Sequence, residues 1–283
     1  MRCDAGVEQR TVVITGASSG IGAAAAGSLA ARGHRIVPLG RDAVRTTAVA
    51  AQVGAEPVVA DFADLGAVRR AAETILATTD RIDVLALNAG GLVLDRRVTR
   101  DGIEQTMQMN HLAHFLLERL LHQRLLDSRA TVVLTCSIGA HAGRLDLDDP
   151  RHERRRYRPF GAYADSKLAG LLFVRELSRR TPELQALAYH PGTAETGFAT
   201  AAGGRLAAQQ ASGSPVLKRL ARVRPVADAA RTLVRLAAMP APRGLGGHYL
   251  GPGGGEALLP RAARDRRLAQ ALWAASERLT SSP

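Results

Sequence analysis

Thr11-Val-Val-Ile-Thr15-Gly16-Ala-Ser-Ser-Gly20-Ile-Gly22 is the stretch on which the fold turns. A β-branched run of strand length ends in a TGxxxGxG pattern and passes straight into an Ala-rich segment of helical character. Glycines at 16, 20 and 22 remove the side chains that would hold a backbone away from a pyrophosphate. A helix starting there also turns its free N–H groups toward the same negative charge. Glycines alone would mark only a supple loop; the strand before them and the helix after them give the pattern its weight. Gly16, Ser18, Ser19, Gly20, Ile21 and Gly22 therefore read as a dinucleotide-binding turn.

Working outward, short apolar runs recur at residues 11–15, 35–39, 57–60, 83–87, 131–136, 184–189 and 247–250. Segments with apolar residues at three and four spacing separate them, among them 22–32, 65–78, 102–126, 163–180 and 226–238. Strand and helix in alternation predict an α/β, Rossmann-type doubly wound fold, a seven-stranded parallel sheet with helices on both faces. Residues 1–283 are of a length that such a fold fills as one domain. Two segments fit neither element: 142–160, rich in Asp and Arg, read as an insertion, and 197–223, rich in Ala, Gly and Ser, read as a substrate lid or, equally, as a passive surface loop.

Composition narrows the function. An apolar fraction of 46% and a charged fraction of 23% are those of a globular chain. No apolar run reaches membrane-spanning length and the first ten residues hold no signal-peptide core, so the expected location is cytoplasmic, without a membrane partner. The net charge of +12 comes almost wholly from Arg, with Lys only at 167 and 218. The densest cluster, Arg151 to Arg158, has a single interleaved aromatic, Tyr157, which argues against nucleic acid. Cys3 and Cys136 are too few for a disulfide framework, and both are expected free. His111, His114 and His141 lack a carboxylate or Cys at ligand spacing, so no metal site is expected and these rings read as structural.

In doubly wound sheets ligands bind beyond the carboxyl ends of the strands. After the second strand comes Gly40-Arg41-Asp42 rather than a lone acidic residue. A guanidinium at Arg41 suits a 2′-phosphate, favouring NADP(H) over NAD(H); the alternative is a solvated Arg41 followed by Asp42 as a helix N-cap. After the third strand, Asp61 is placed to accept from an adenine amino group and Phe62 to cover its face. After the fourth, Asn88-Ala89-Gly90 offers small residues and an amide beside the cofactor. Further on, Tyr163 and Lys167 lie four apart, on one helical face, where the ammonium is expected to favour ionisation of the phenol.

Thr15-Gly16…Gly20-Ile-Gly22, Asn88-Ala-Gly90, Asn110, Ser137, Tyr163-xxx-Lys167 and Pro191-Gly192 occur in the order seen in the short-chain dehydrogenase/reductase family, which the chain resembles over nearly its whole length. Asn110-His-Leu-Ala-His-Phe-Leu-Leu117, the extended interval from Ser137 to Tyr163 and His190-Pro-Gly192 are similar to its retinol-dehydrogenase-like branch; light-dependent protochlorophyllide reductases share such segments. The resemblance implies a catalytic tetrad of Asn110, Ser137, Tyr163 and Lys167. In it Ser137 holds the substrate oxygen, Tyr163 donates the proton, and Lys167 lowers the Tyr pKa and binds the nicotinamide ribose. Asn110 would hold a water linking Lys167 to solvent. It further implies that Pro191, Gly192 and Thr193 meet the carboxamide and that Thr196 reaches a phosphate. The expected substrate is a carbonyl or alcohol of an apolar small molecule, such as a bacterial secondary-metabolite ketone. A membrane retinoid is disfavoured by the missing anchor and by an aromatic content of 4%. Epimerisation, dehydration, enone reduction and a non-catalytic NADP(H)-binding regulator stay open, as does the choice between monomer and homodimer.

Overall fold

The computed structural model describes residues 8–192, 224–239 and 244–281. Its centre is a seven-stranded sheet in the order β3-β2-β1-β4-β5-β6-β7, every neighbouring pair parallel. The strands are β1 (Thr11–Thr15), β2 (Arg35–Gly40), β3 (Val58–Val59), β4 (Val84–Leu87), β5 (Thr131–Thr135), β6 (Gln185–Tyr189) and β7 (Tyr249–Leu250). The helices are α1 (Gly20–Ala30), α2 (Ala43–Gln52), α3 (Leu65–Thr78), α4 (Gln105–Met107), α5 (Ala113–Asp127), α6 (Pro159–Arg180), α7 (Val226–Ala238) and α8 (Arg266–Thr280). The fold class is thus the one expected from strand-helix alternation.

Side chains alternate across a strand, and here each alternate set finds its own core. Val12 and Ile14, Val84 and Ala86, Val133, Leu187 and Tyr189 join α1 and α7 on one face. Val13, Leu85 and Leu87, Val132 and Leu134 join α3, α5, α6 and α8 on the other. Burial on both faces is why β1 and β5 are closed to solvent along their whole length and carry continuous Val, Ile and Thr. Trp273 of α8 serves as a packing anchor: it lies edge-on to Phe115 and stacked on Phe173, with its Nε1–H donated to Glu277.

Two differences from the sequence reading bear on the site. The helix expected over 102–126 starts at Gln105, capped by both oxygens of the buried Glu104, and opens into a π turn over Gln108–Leu112 before α5. The helix expected from Tyr163 begins four residues earlier, with Pro159 in its first turn, where a missing N–H costs nothing. Asp42 caps α2, as the alternative reading of Arg41 and Asp42 had it, by accepting the Arg45 N–H at 3.0 Å. The inserted segment is tied down rather than loose: the Pro150 carbonyl accepts the Glu104 N–H, Tyr157 donates to the Val93 carbonyl, and Asp165 of α6 accepts the Arg144 N–H and pairs with Arg155. Among the described residues no helix is long and apolar enough to cross a membrane.

Candidate active site

The strand order reverses between β1 and β4, and the turns after those two strands form one crevice. Gly16 has φ +69°, a conformation that disfavours side chains, and a Cβ there would stand 2.8 Å from the Ala89 Cα. A Cβ on Gly22 would stand 2.3 Å from the Gly16 carbonyl oxygen, and one on Gly90 would press on Asn110 Oδ1 and Lys167 Nζ at 3.0 and 3.3 Å. The crevice is therefore shaped by missing side chains, and it ends at the start of α1, where Ser19 occupies the N-cap position. Those features fit a dinucleotide pyrophosphate, and Ser18 and Ile21 flank the same turn. Thr15 joins the two walls: its Oγ1 accepts the N–H groups of Asn88 and Ala89, both at 2.9 Å, while Asn88 Nδ2 donates to the Thr15 carbonyl.

At the end of β2, Gly40 packs on Ser18 and Thr46, which brings Arg41 beside the glycine turn. Arg41 is exposed, and Asp42 is committed to its helix cap, so no acidic side chain after β2 is left facing the crevice. Asp61 is exposed, with one oxygen accepting the Ala63 N–H. Phe62 corrects the reading: its ring turns into the core, edge-on to His114 at 5.3 Å, and is not offered to an adenine. The apolar environment between α3 and α5 outcompetes a solvent-facing stacking position.

The residues expected to carry chemistry lie past β5. Ser137 is the N-cap of a short 3-10 turn and accepts the Gly139 N–H at 3.1 Å. Tyr163 hydrogen-bonds Ser137, and burial pushes its phenol up to about 12, with the Ser137 bond acting in the opposite direction. Lys167 lies one turn on, its Nζ 5.6 Å from the Tyr163 ring centroid and donating to the Thr135 carbonyl at 3.0 Å. Burial lowers the Lys167 pKa. Desolvation is the largest influence on the resting phenol, and the Lys167 ammonium is directed at a backbone carbonyl. A Cβ on Gly139 would come into contact with Ser137 Oγ, Phe160 Cζ and Tyr163 Cε1 at 3.4 to 3.5 Å, so these three groups converge around that glycine. Ile138 and Phe160 are exposed beside that glycine, and exposed Leu258 is tied by its carbonyl to His141.

The π turn holds Asn110 inward. Its Oδ1 accepts the Gly91 N–H at 2.8 Å, and its Nδ2 donates to the Gly91 carbonyl and to Ser166 Oγ, both at 2.9 Å. Pro191 and Gly192 follow β6, where Gly192 takes φ +79° against Pro252. Thr193, Thr196 and the lid of 197–223 lie outside the described residues, as does Cys3. Cys136 is buried beside Ser137, and burial pushes its thiol up to about 11. Sequence reasoning missed Thr15 and Thr135 as members of the site. Both are strand-end hydroxyls with core burial; Thr15 opens the TGxxxGxG pattern, whereas no spacing sets Thr135 apart from an ordinary β-sheet threonine.

A model of the short chain dehydrogenase family matches residues 10–205. The chain belongs to that family. A protein of Streptomyces sp. (strain C5), named provisionally as a daunorubicin C-13 ketoreductase, is 43% identical over 96% of this chain and 92% of its own. Human retinol dehydrogenase 14 is 33% identical over 95% and 85%. These likenesses put this short-chain dehydrogenase in the retinol-dehydrogenase-like branch. Among solved structures, an uncharacterized protein from Mycobacterium paratuberculosis superposes with a TM-score of 0.75 at 36% identity, covering 97% of this chain and 94% of that one. A Beutenbergia cavernae protein assigned as an NAD(P)-dependent gluconate 5-dehydrogenase, crystallised with NADP, gives 0.68 at 28% identity over 86% and 94%. The family's oxidoreductase chemistry and its nicotinamide cofactor come with the membership.

Proposed function

We propose that this short-chain dehydrogenase is an NADP(H)-dependent reductase of an apolar ketone, acting as one dinucleotide-binding domain. The observation that carries the proposal is the convergence of the Ser137 hydroxyl, the Tyr163 phenol and the Phe160 ring around Gly139. Nicotinamide supplies the hydride when bound. Gly16, Ser18, Ser19, Gly20, Ile21 and Gly22 hold its pyrophosphate, Arg41 the 2′-phosphate, Asp61 the adenine amino group, and Asn88, Ala89 and Gly90 the wall toward the reacting end. Pro191 and Gly192 bound the carboxamide side.

Ser137 holds the substrate oxygen by its hydroxyl, and Tyr163 delivers a proton to that oxygen as the carbon is reduced. Burial keeps the phenol protonated throughout the neutral range, the form an acid needs. As the proton leaves, the Lys167 ammonium beside the ring stabilises the developing phenolate. Asn110 braces the loop after β4 against α6 through Gly91 and Ser166. The substrate class rests on the exposed apolar Ile138 and Phe160 beside Gly139 and on the likeness to a protein named for ketone reduction.

The test is oxidation of NADPH and NADH by purified protein against a panel of apolar aldehydes, ketones and enones, run beside Tyr163→Phe. Turnover of ketones with NADPH that falls about a thousandfold in the variant supports the proposal. Equal turnover by the variant, or none by the wild type on any member of the panel, refutes it.

A further inference from the structure

Two histidines flank Asn110 in Asn110-His111-Leu-Ala-His114, and the chemistry proposed above uses neither. His114 is buried, and desolvation holds its pKa at about 3, so the imidazole is neutral. Its Nδ1 lies 3.2 Å from the Asn110 carbonyl oxygen, which can only accept, so Nδ1 carries the proton. Nε2 is then the acceptor, and 3.2 Å away stands the Thr15 hydroxyl. Thr15 Oγ1 already accepts the N–H groups of Asn88 and Ala89, leaving its one proton to donate, either to His114 or to the Ala86 carbonyl at 3.3 Å. With that proton on His114, a continuous chain of bonds runs from the π turn through one ring to β1 and on to both residues that wall the crevice.

The far side of the same turn is reached by Asn110's own side chain, which bonds Gly91 and Ser166, one residue before Lys167. A second route links Lys167 through Thr135, whose hydroxyl meets Asn88 Oδ1 at 3.1 Å. His111 points elsewhere: its Nε2 bonds Ser276 of α8 at 2.9 Å, so it fastens the C-terminal helix and not the crevice.

We infer that His114 is a positioning residue which, as a neutral Nδ1–H imidazole, sets the spacing between the glycine turn and Asn110 and so fixes the width of the dinucleotide crevice. This rests on the proposed NADP(H) site. Leucine at 114 fills similar space with neither donor nor acceptor. Glutamine offers an amide N–H for the Asn110 carbonyl and an amide oxygen for the Thr15 hydroxyl.

The experiment is NADPH binding by fluorescence titration, without substrate, for wild type, His114→Leu, His114→Gln and His111→Leu, with a thermal melt of each. Expected are a Kd raised about tenfold in His114→Leu, restored to within about threefold in His114→Gln, and within about twofold of wild type in His111→Leu although that variant melts lower. Wild-type affinity in His114→Leu overturns the inference. So do Kd values that rise in all three variants in proportion to lost thermal stability, since that marks general damage. A wild type that binds no NADPH overturns the cofactor site itself and the inference with it, a result told apart by the first titration.

Discussion

Acidification from pH 7.5 to 5.0 is expected to cost the fold about 4 kcal/mol through His111 and His114 alone. Both rings are buried among core side chains, and desolvation brings each from an ordinary 6.5 to about 3. Between those values the unfolded chain takes up a proton at each imidazole that the folded chain refuses. Stability contributed this way is complete above 6.5, falls as pH drops below 6.5 and levels off near 3. The slope is about 1.4 kcal/mol per pH unit per histidine, so some 1.5 units below 6.5 give about 2 kcal/mol each. That is a large part of the ~5–15 kcal/mol by which domains are stable. Urea unfolding at the two pH values, for wild type and for the His111→Leu/His114→Gln double variant, isolates the effect from carboxylates and from His34 and His190, whose pKa values burial also lowers. The wild type should lose about 4 kcal/mol more than the variant. A difference under about 1 kcal/mol would show that these rings do not resist protonation, and the tautomer argument for His114 would fall with it.

Gly22→Ala puts a methyl 2.3 Å from the Gly16 carbonyl, so NADPH affinity should drop at least about tenfold in a binding titration, with about 2 kcal/mol lost from the fold. Arg41→Ala should raise the KM for NADPH about tenfold or more and leave that for NADH within about threefold, read from initial rates with each coenzyme. Asp165→Ala removes a buried carboxylate that holds the inserted segment through Arg155 and the Arg144 N–H, and chemical denaturation should show about 2 kcal/mol lost, held below the cost of a fully buried pair because Arg155 is 41% exposed.

The sheet was legible because its evidence is periodic and local. Val12, Val13 and Ile14 followed by Gly16 identify a strand end and a turn from sequence alone, and parallel strands buried on both faces leave continuous apolar runs. Tyr163 and Lys167 stood out by their spacing, and Ser137 only through the family resemblance; the structure brings Ser137 and Tyr163 into contact. The π turn was not, since Gln108 to Leu112 carries the same apolar spacing as the α-helix around it, and the extra residue per turn is set by Asn110 reaching Gly91 across the fold. Phe62 was misread because an aromatic after a strand looks alike whether it faces ligand or core; only the tertiary neighbour, His114, decides it. The direction of the Tyr163 shift depends on how deeply α6 buries the phenol, which an i, i+4 spacing does not encode.

The most direct measurement is the fate of deuterium from NADPH labelled at both C4 positions, followed by mass spectrometry of the alcohol formed from an apolar aryl ketone. Hydride transfer in the crevice predicts a product heavier by one deuterium, formed by the wild type and nearly absent with Tyr163→Phe. An alcohol without the label, or labelled to the same extent and at the same rate by the variant, would contradict the account.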